Sequence, residues 1–317
     1  MTTSYTQWTA SRPGTAALHL LTVLLLCIGT GIGTVNAAET PPSTSGDTLR
    51  ARHGALQERL NNNPFQRPLA LDSGEAADRV TGSIYAVIDH PFVTVSATLN
   101  NAERWCDILS LHLNTKYCRA AKAGGGNVIN INIGEKHHQA LDETYRMDLA
   151  YRVSARTENY LRVLLSADDG PLSTSNYRLI FEAIPLDNGQ TFIHLSYAYA
   201  YGLLGRLAMQ AYLGTTGRDR VGFTQSGTKT NGQPLHIGGM RGAVERNTMR
   251  YYLAIEAFLG ALSQPLSAQF EKRLHDWFAA TELYTRQLHE MERKAYLEMK
   301  RREHRRQQIE LAARRTD

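Results

Sequence analysis

From Val80 onward the hydrophobic positions fall into short regular runs. Residues 80–88 read as a strand. Pro91 follows, and then two helical stretches, 92–99 and 102–113. They are separated by Asn100-Asn101, a pair suited to capping because an asparagine side chain accepts from the free amides of a first turn. Residues 116–121 are a further strand candidate, and Gly124-Gly125-Gly126 a loop. Residues 127–133 set Val128, Asn130 and Asn132 against Ile129, Ile131 and Ile133, a period of two. Residues 144–156 place Tyr145, Met147, Leu149, Tyr151, Val153 and Ala155 on one face. Arg146, Asp148, Arg152, Ser154 and Arg156 fall on the other, as in an antiparallel strand with one covered face. Strands over 160–167, 176–186 and 190–201 complete a meander. Its turns are Thr157-Glu158-Asn159, Asp168-Asp169-Gly170-Pro171 and Asp187-Asn188-Gly189, where Asn-Gly predicts a type I′ hairpin. The last strand alternates Ser196, Ala198 and Ala200 with Tyr197, Tyr199 and Tyr201. The sequence leaves open which row faces inward.

The period then becomes helical. Residues 203–213 form a short apolar helix, and 214–239 a loop rich in Gly and Thr, long enough for a flap or a partner-binding segment. Val244, Thr248, Tyr251, Ile255, Leu259 and Leu262 recur every three or four residues, the stripe of an amphipathic helix. Its Arg246, Arg250 and Glu256 read as the solvated face. Pro265 breaks it. A further pattern runs Leu266, Phe270, Leu274, Trp277, Thr281, Tyr284, Leu288, Met291, and past Arg293 charge takes over. Upstream, 38–77 reads as a linker with one short helix around Leu49–Leu60.

The first residues have a different texture. Residues 1–17 carry one charged side chain, Arg12. An apolar core runs from Leu18 to Ile28, and small residues lead to Val35-Asn36-Ala37-Ala38. That is a secretory signal, cleaved after Ala37. The other reading is an uncleaved anchor, for which the core falls short of the ~20 apolar residues a span needs. Cys27 follows three leucines, unlike a lipoprotein signal. The expected location is therefore outside the cytoplasm, in a periplasm, with inner-membrane anchoring as the alternative. Export leaves Cys106 and Cys118 in an oxidising compartment. On one straight helix they would lie about 18 Å apart. If the helix ends near Asn114 and the chain returns as a strand, they come level, which predicts a Cys106–Cys118 disulfide.

The run Gly82-Ser83-Ile84-Tyr85-Ala86-Val87-Ile88-Asp89-His90-Pro91-Phe92, with Leu99-Asn100-Asn101-Ala102-Glu103-Arg104-Trp105 after it, resembles the START-like (polyketide-cyclase-like) superfamily. The meander of 144–201 and the helix of 241–262 complete the resemblance over residues 78–262. It implies an α+β, helix-grip fold: a curved antiparallel sheet wrapped around a long C-terminal helix. Residues 263–317 would then form an additional helical tail with a basic end. It also implies an apolar ligand between sheet and helix. The candidate lining is Tyr145, Met147, Leu149, Tyr151, Leu161, Val163, Leu179 and Phe181 from the strands and Tyr251, Tyr252 and Ile255 from the helix. The competing reading is that these side chains simply fill a core. The tyrosines favour a pocket, because a buried hydroxyl needs a partner.

Composition narrows the function. The chain has 317 residues, 42% hydrophobic and 21% charged, with three cysteines, which excludes a disordered chain or a disulfide-built scaffold. No G-x-S-x-G, C-x-x-C, H-E-x-x-H or phosphate loop occurs, and no cofactor or metal is implied. His137, His138 and Asp142 read as solvated loop. Glu182 and His194 fall on adjacent strands and are the one candidate acid/base pair. The formal charge of +5 is concentrated in 293–317, where nine basic residues meet four acidic ones. That arrangement fits contact with an anionic membrane or an acidic partner better than with nucleic acid. The expected function is binding or carriage of a lipid-like or other hydrophobic molecule. The alternatives are an envelope interaction protein acting through its basic helix, or a cyclase or hydrolase on the same fold.

Overall fold

The computed structural model describes residues 45–76, 78–202, 205–206 and 220–316. The expected signal and most of the expected helix at 203–213 lie outside the described residues. The fold is α+β. Eight antiparallel strands form one curved sheet in the order β1-β2-β8-β7-β6-β5-β4-β3. They are β1 (Leu69–Glu75), β2 (Arg79–Ile88), β3 (Thr115–Ala123), β4 (Gly126–Ile133), β5 (Tyr145–Arg156), β6 (Leu161–Asp169), β7 (Thr174–Pro185) and β8 (Thr191–Tyr201). One face of this sheet grips a 22-residue helix, α5 (Gly239–Gly260), which follows the small hairpin β9 (Gln225–Thr228) and β10 (Pro234–His236). Among the described residues no helix is long and apolar enough to cross a membrane.

The segment read as a linker is instead structured. Helices α1 (Ser45–Ala55) and α2 (Gln57–Asn61) precede β1, which pairs with β2 from Leu69↔Ala86 to Glu75↔Val80. The alternation that marks a strand fails here because Leu69, Ala70 and Leu71 are all buried. Leu69 and Leu71 join the main core, while Ala70 joins a cluster on the other face with Leu49, Leu56 and Leu60.

Pro91 leads into α3 (Phe92–Leu99), and the Asn101 side chain caps α4 (Ala102–Leu109) by accepting from Glu103 N at 2.8 Å. α4 ends five residues before the expected Asn114, and a run of turns carries the chain into β3. That return brings Cys106 and Cys118 together in a disulfide with Cα atoms 5.2 Å apart. Two details of the meander differ from expectation. Gly189 has φ +79° but Asn188 does not share the positive region, and Leu186 N bonds Gln190 O. The turn is therefore a three-residue loop with a left-handed glycine, not type I′. In β5 the register slips between Val153 and Ala155. The extra residue sends Ala155 to the opposite face from Val153, where it packs on the outer cluster.

Helix and sheet meet closely at Gly82, where a Cβ would lie 2.4 Å from Thr248 Oγ1. A larger residue there would have to displace the Thr248 hydroxyl, which donates to Val244 O. Beyond α5 lie α6 (Leu266–Glu282), α7 (Thr285–Leu288) and α8 (Arg293–Thr316). The Trp277 indole donates to Arg250 O at 3.0 Å and stacks on Tyr296 at 5.0 Å. This second helical layer is why Arg250, expected to be solvated, is 2% exposed; Arg246, likewise expected to be solvated, is 4% exposed and donates to Val221 O in the loop before β9. Glu256 is paired with Arg67.

α8 also revises the picture of a cationic tail. Lys300 is buried and donates to His112 O, Thr115 O and Glu303; burial pushes its amine down to about 8. Arg306 donates to Lys116 O and Gln307 accepts from Cys118 N, both on the outer edge of β3. At the opposite edge Arg59 and Arg241 donate to Leu71 O and Ser73 O. Long basic side chains thus cover both open edges of the sheet, which otherwise invite pairing with another chain.

Candidate functional site

Between the sheet and α5 lies a cavity of about 390 Å³. The period-two faces of β4, β5, β6 and β7 supply an apolar wall: Ile131, Ile133, Met147, Leu149, Leu165 and Leu179. Leu109 closes one side from α4, and Met240 and Ala243 come from the start of α5. Leu172 stands at the wall with φ +56° and 73% exposure, a left-handed leucine in the β6–β7 connection. The volume lies in the ordinary range for a small-molecule pocket.

The wall also carries aromatic and polar groups. The tyrosine row of β8 faces inward, which resolves the alternation of 196–201. Tyr197 and Tyr199 line the cavity with Tyr177 and Tyr251. Their rings form a chain: Tyr199 on Tyr177 at 5.4 Å, Tyr177 on Tyr197 at 6.3 Å, Tyr197 on Tyr251 at 5.2 Å, and Tyr251 on His112 at 5.1 Å. The Tyr177 hydroxyl shares a hydrogen bond with Thr174 Oγ1 at 2.6 Å. The hydroxyls of Tyr197, Tyr199 and Tyr251 have no hydrogen-bond partner among the described residues. Burial raises all three phenols above their ordinary value, so at neutral pH each keeps its proton and can donate.

Of the eleven side chains expected from sequence, four line this cavity: Met147, Leu149, Leu179 and Tyr251. Tyr151, Leu161, Val163, Phe181, Tyr252 and Ile255 are buried in the surrounding core. Tyr151 is held there by its hydroxyl, which donates to Leu99 O at 3.3 Å. Tyr145, at the start of β5, is 40% exposed and outside the lining. Sequence reasoning passed over His112, Arg246 and Arg250. His112 sits between Leu111 and Leu113 and looks like part of an apolar helix, while the two arginines look solvated until the loop over Arg246 and the helical layer over Arg250 are known. Tyr197 and Tyr199 did carry a signal, the strict alternation, without its direction.

Glu182 and His194 do pair, with His194 Nδ1 2.8 Å from Glu182 Oε2. They do so on the outer face, beneath α1 and away from the cavity. Tyr160 also donates to Glu182, Tyr85 stacks on His194 at 4.3 Å, and Arg52 sits over Tyr85 at 5.1 Å. Burial alone would raise the Glu182 carboxyl. The hydrogen bonds from His194 and Tyr160 overcome that and hold it below the ordinary carboxylate value. The loop read as a flap is partly pinned. Glu245 on α5 is fully buried and accepts from Phe223 N, Thr224 N, Thr224 Oγ1 and Ser73 Oγ.

No protein-family model and no curated protein matches the chain. Solved structures do. A truncated norcoclaurine synthase from Thalictrum flavum is similar at 14% identity and a TM-score of 0.31, over 46% of this chain and 90% of that one. The Zhui aromatase/cyclase from Streptomyces sp. R1128 is similar at 10% identity and 0.30, over 47% and 87%. Human StAR-related lipid transfer protein 5 is similar at 8% identity and 0.28, over 54% and 88%.

Proposed function

We propose that this protein binds or carries a hydrophobic small molecule in the cavity between sheet and α5. The observation that supports this reading is the combination of an apolar wall with three tyrosine hydroxyls that find no partner in the described protein. A filled core would place each buried hydroxyl against an acceptor, because an unmatched one costs about 1–3 kcal/mol. A ligand or trapped water recovers that cost. The candidate acid/base pair lies on the other face of the sheet, so the reading is of a binding protein and not of an enzyme built on Glu182 and His194.

We further propose that the protein is exported after cleavage behind Ala37. Sequencing the amino terminus of the protein from the envelope fraction should find Ala38 first; an intact Met1 would reject cleavage. Among the basic residues of α8 whose side chains are described, Arg293, Lys294, Arg302 and Arg305 are exposed and could touch an anionic lipid surface.

Native mass spectrometry of protein purified without detergent tests the central claim. The expected spectrum contains the chain plus the mass of a small organic molecule, released on denaturation. A protein seen only at its own mass, which also takes up no added fatty acid or aromatic compound, would overturn it.

A further inference from the structure

The cavity has a polar end whose hydrogen-bond chemistry specifies what completes it. His112 lies in the turns after α4 and is 4% exposed. Its Nδ1 faces the backbone N–H of Asn114 at 3.2 Å. That N–H donates, so Nδ1 accepts and carries no hydrogen. The neutral ring must therefore hold its hydrogen on Nε2. Burial, reinforced by Arg250, Lys300 and Lys136, pushes the imidazole well below its ordinary value, which agrees with a neutral ring. Nε2 is buried and has no hydrogen-bond partner within bonding geometry among the described residues, although the Asn247 side chain lies beside the ring. An orphaned buried donor of this kind asks for an acceptor from outside the chain. The Tyr251 hydroxyl, on the ring stacked against His112, also has no hydrogen-bond partner among the described residues and lines the same cavity.

The charges at this end choose the acceptor's sign. Arg250, Lys136 and Arg220 all pair with the Glu290 carboxylate, at 2.7, 2.8 and 3.1 Å. Behind His112, Lys300 and Lys116 share Glu303 at 2.9 and 3.2 Å. Among the described residues these five cations converge on two carboxylates, in a region where the Glu290 side chain is 3% exposed and solvent screens poorly. An anion gains there and a cation loses.

Building on the proposed binding function, we propose that the ligand is an amphipathic carboxylic acid. Its apolar body would lie on Leu109, Ile131, Met147 and Leu149, and its carboxylate would accept from His112 Nε2–H and the Tyr251 hydroxyl. The alternative occupants, a neutral amphiphile or an amine, are separated by experiment.

Titration calorimetry of the purified full chain at neutral pH would compare decanoate, decanol and decylamine, and 2-naphthoate with 2-naphthol. Each acid is expected to bind at least about tenfold tighter than its alcohol, with the amine weakest, as a hydrogen bond to a charged group predicts. His112→Phe keeps a ring against Tyr251 and removes the donor. It should weaken the acids about tenfold and leave the alcohols within about twofold. Should that variant fail to fold, Lys136→Gln, on a partly exposed side chain, should weaken the acids about threefold and leave the alcohols unchanged. Acid and alcohol binding equally well, or an amine binding best, would overturn the carboxylate assignment and leave the hydrophobic cavity standing. Failure of all five probes to bind would overturn both.

Discussion

The two faces of the sheet obey the same alternation and end in opposite conditions. On the outer face, α1 lays Leu49 against Ile184 and Phe192. Glu182 there accepts from both His194 and Tyr160, so the carboxylate is matched by the chain itself. On the inner face, α5 meets the sheet tightly at Gly82 and is held off elsewhere by a row of tyrosines. What remains is a cavity in which His112 Nε2 and the hydroxyls of Tyr197, Tyr199 and Tyr251 have no hydrogen-bond partner among the described residues. The two histidines show the difference in one residue type. His194 places Nδ1 on a carboxylate, so Nδ1 donates and its unmatched Nε2 is an acceptor when the ring is neutral. His112 places Nδ1 on a backbone N–H, so its unmatched Nε2 is a donor. The same side chain is a structural cross-strand partner on one face and a reader of negative charge on the other, and the choice is made by what Nδ1 touches.

The largest test of this contrast lies within the inner face. Phe181 is fully buried and meets Trp105 edge-on at 5.8 Å. Phe181→Ala should cost about 3–5 kcal/mol in urea unfolding. Leu149 lines the cavity, so part of its surface already lacks neighbours, and Leu149→Ala should cost about 2 kcal/mol, the low end for a leucine. Equal costs would mean that the cavity closes in solution. Next comes the disulfide. Replacing Cys106 and Cys118 together with alanine opens a loop that contains His112, and should cost about 3 kcal/mol. Because the loop positions the orphaned donor, the same change should weaken acid binding. Alkylation of the native protein without reductant should add no mass to either cysteine; a mass gain would show the bridge to be absent.

These expectations also mark how far the sequence carries. Strands β4 to β8 were legible because each has one covered face, and period two follows directly from that. The disulfide was legible because helix and strand have fixed rises, although α4 ends earlier than expected. β1 was not, since its three buried residues face both sides and leave no alternation. The slip at Ala155 was not, because a bulge has no marker in a run of small and polar residues. The buried arginines Arg246 and Arg250 were illegible for a different reason. Their helix has an ordinary polar stripe, and only the packing of α6 to α8 against Arg250 and of the 220–224 loop against Arg246 removes the water. The polar end of the cavity was hidden for the same cause: His112 lies among leucines, and its role depends on the tautomer that Asn114 imposes.

The outer face gives the smaller effects and the control. Glu182→Gln removes a carboxylate that accepts two hydrogen bonds, and should cost about 2 kcal/mol while leaving decanoate affinity unchanged. A loss of affinity there would dissolve the contrast between the faces.

The pH dependence of that cost is the finest test. The native carboxyl of Glu182 is held below its ordinary value, so the unfolded chain binds the proton more readily. The group therefore contributes stability above the unfolded value, and that contribution disappears as pH falls through the native one. The stability difference between wild type and Glu182→Gln should be constant from neutrality down to the ordinary carboxylate range. Below that it should shrink. A difference that stays flat below the carboxylate range would mean that Glu182 is solvated and that the outer face, like the inner one, is left incomplete by the chain.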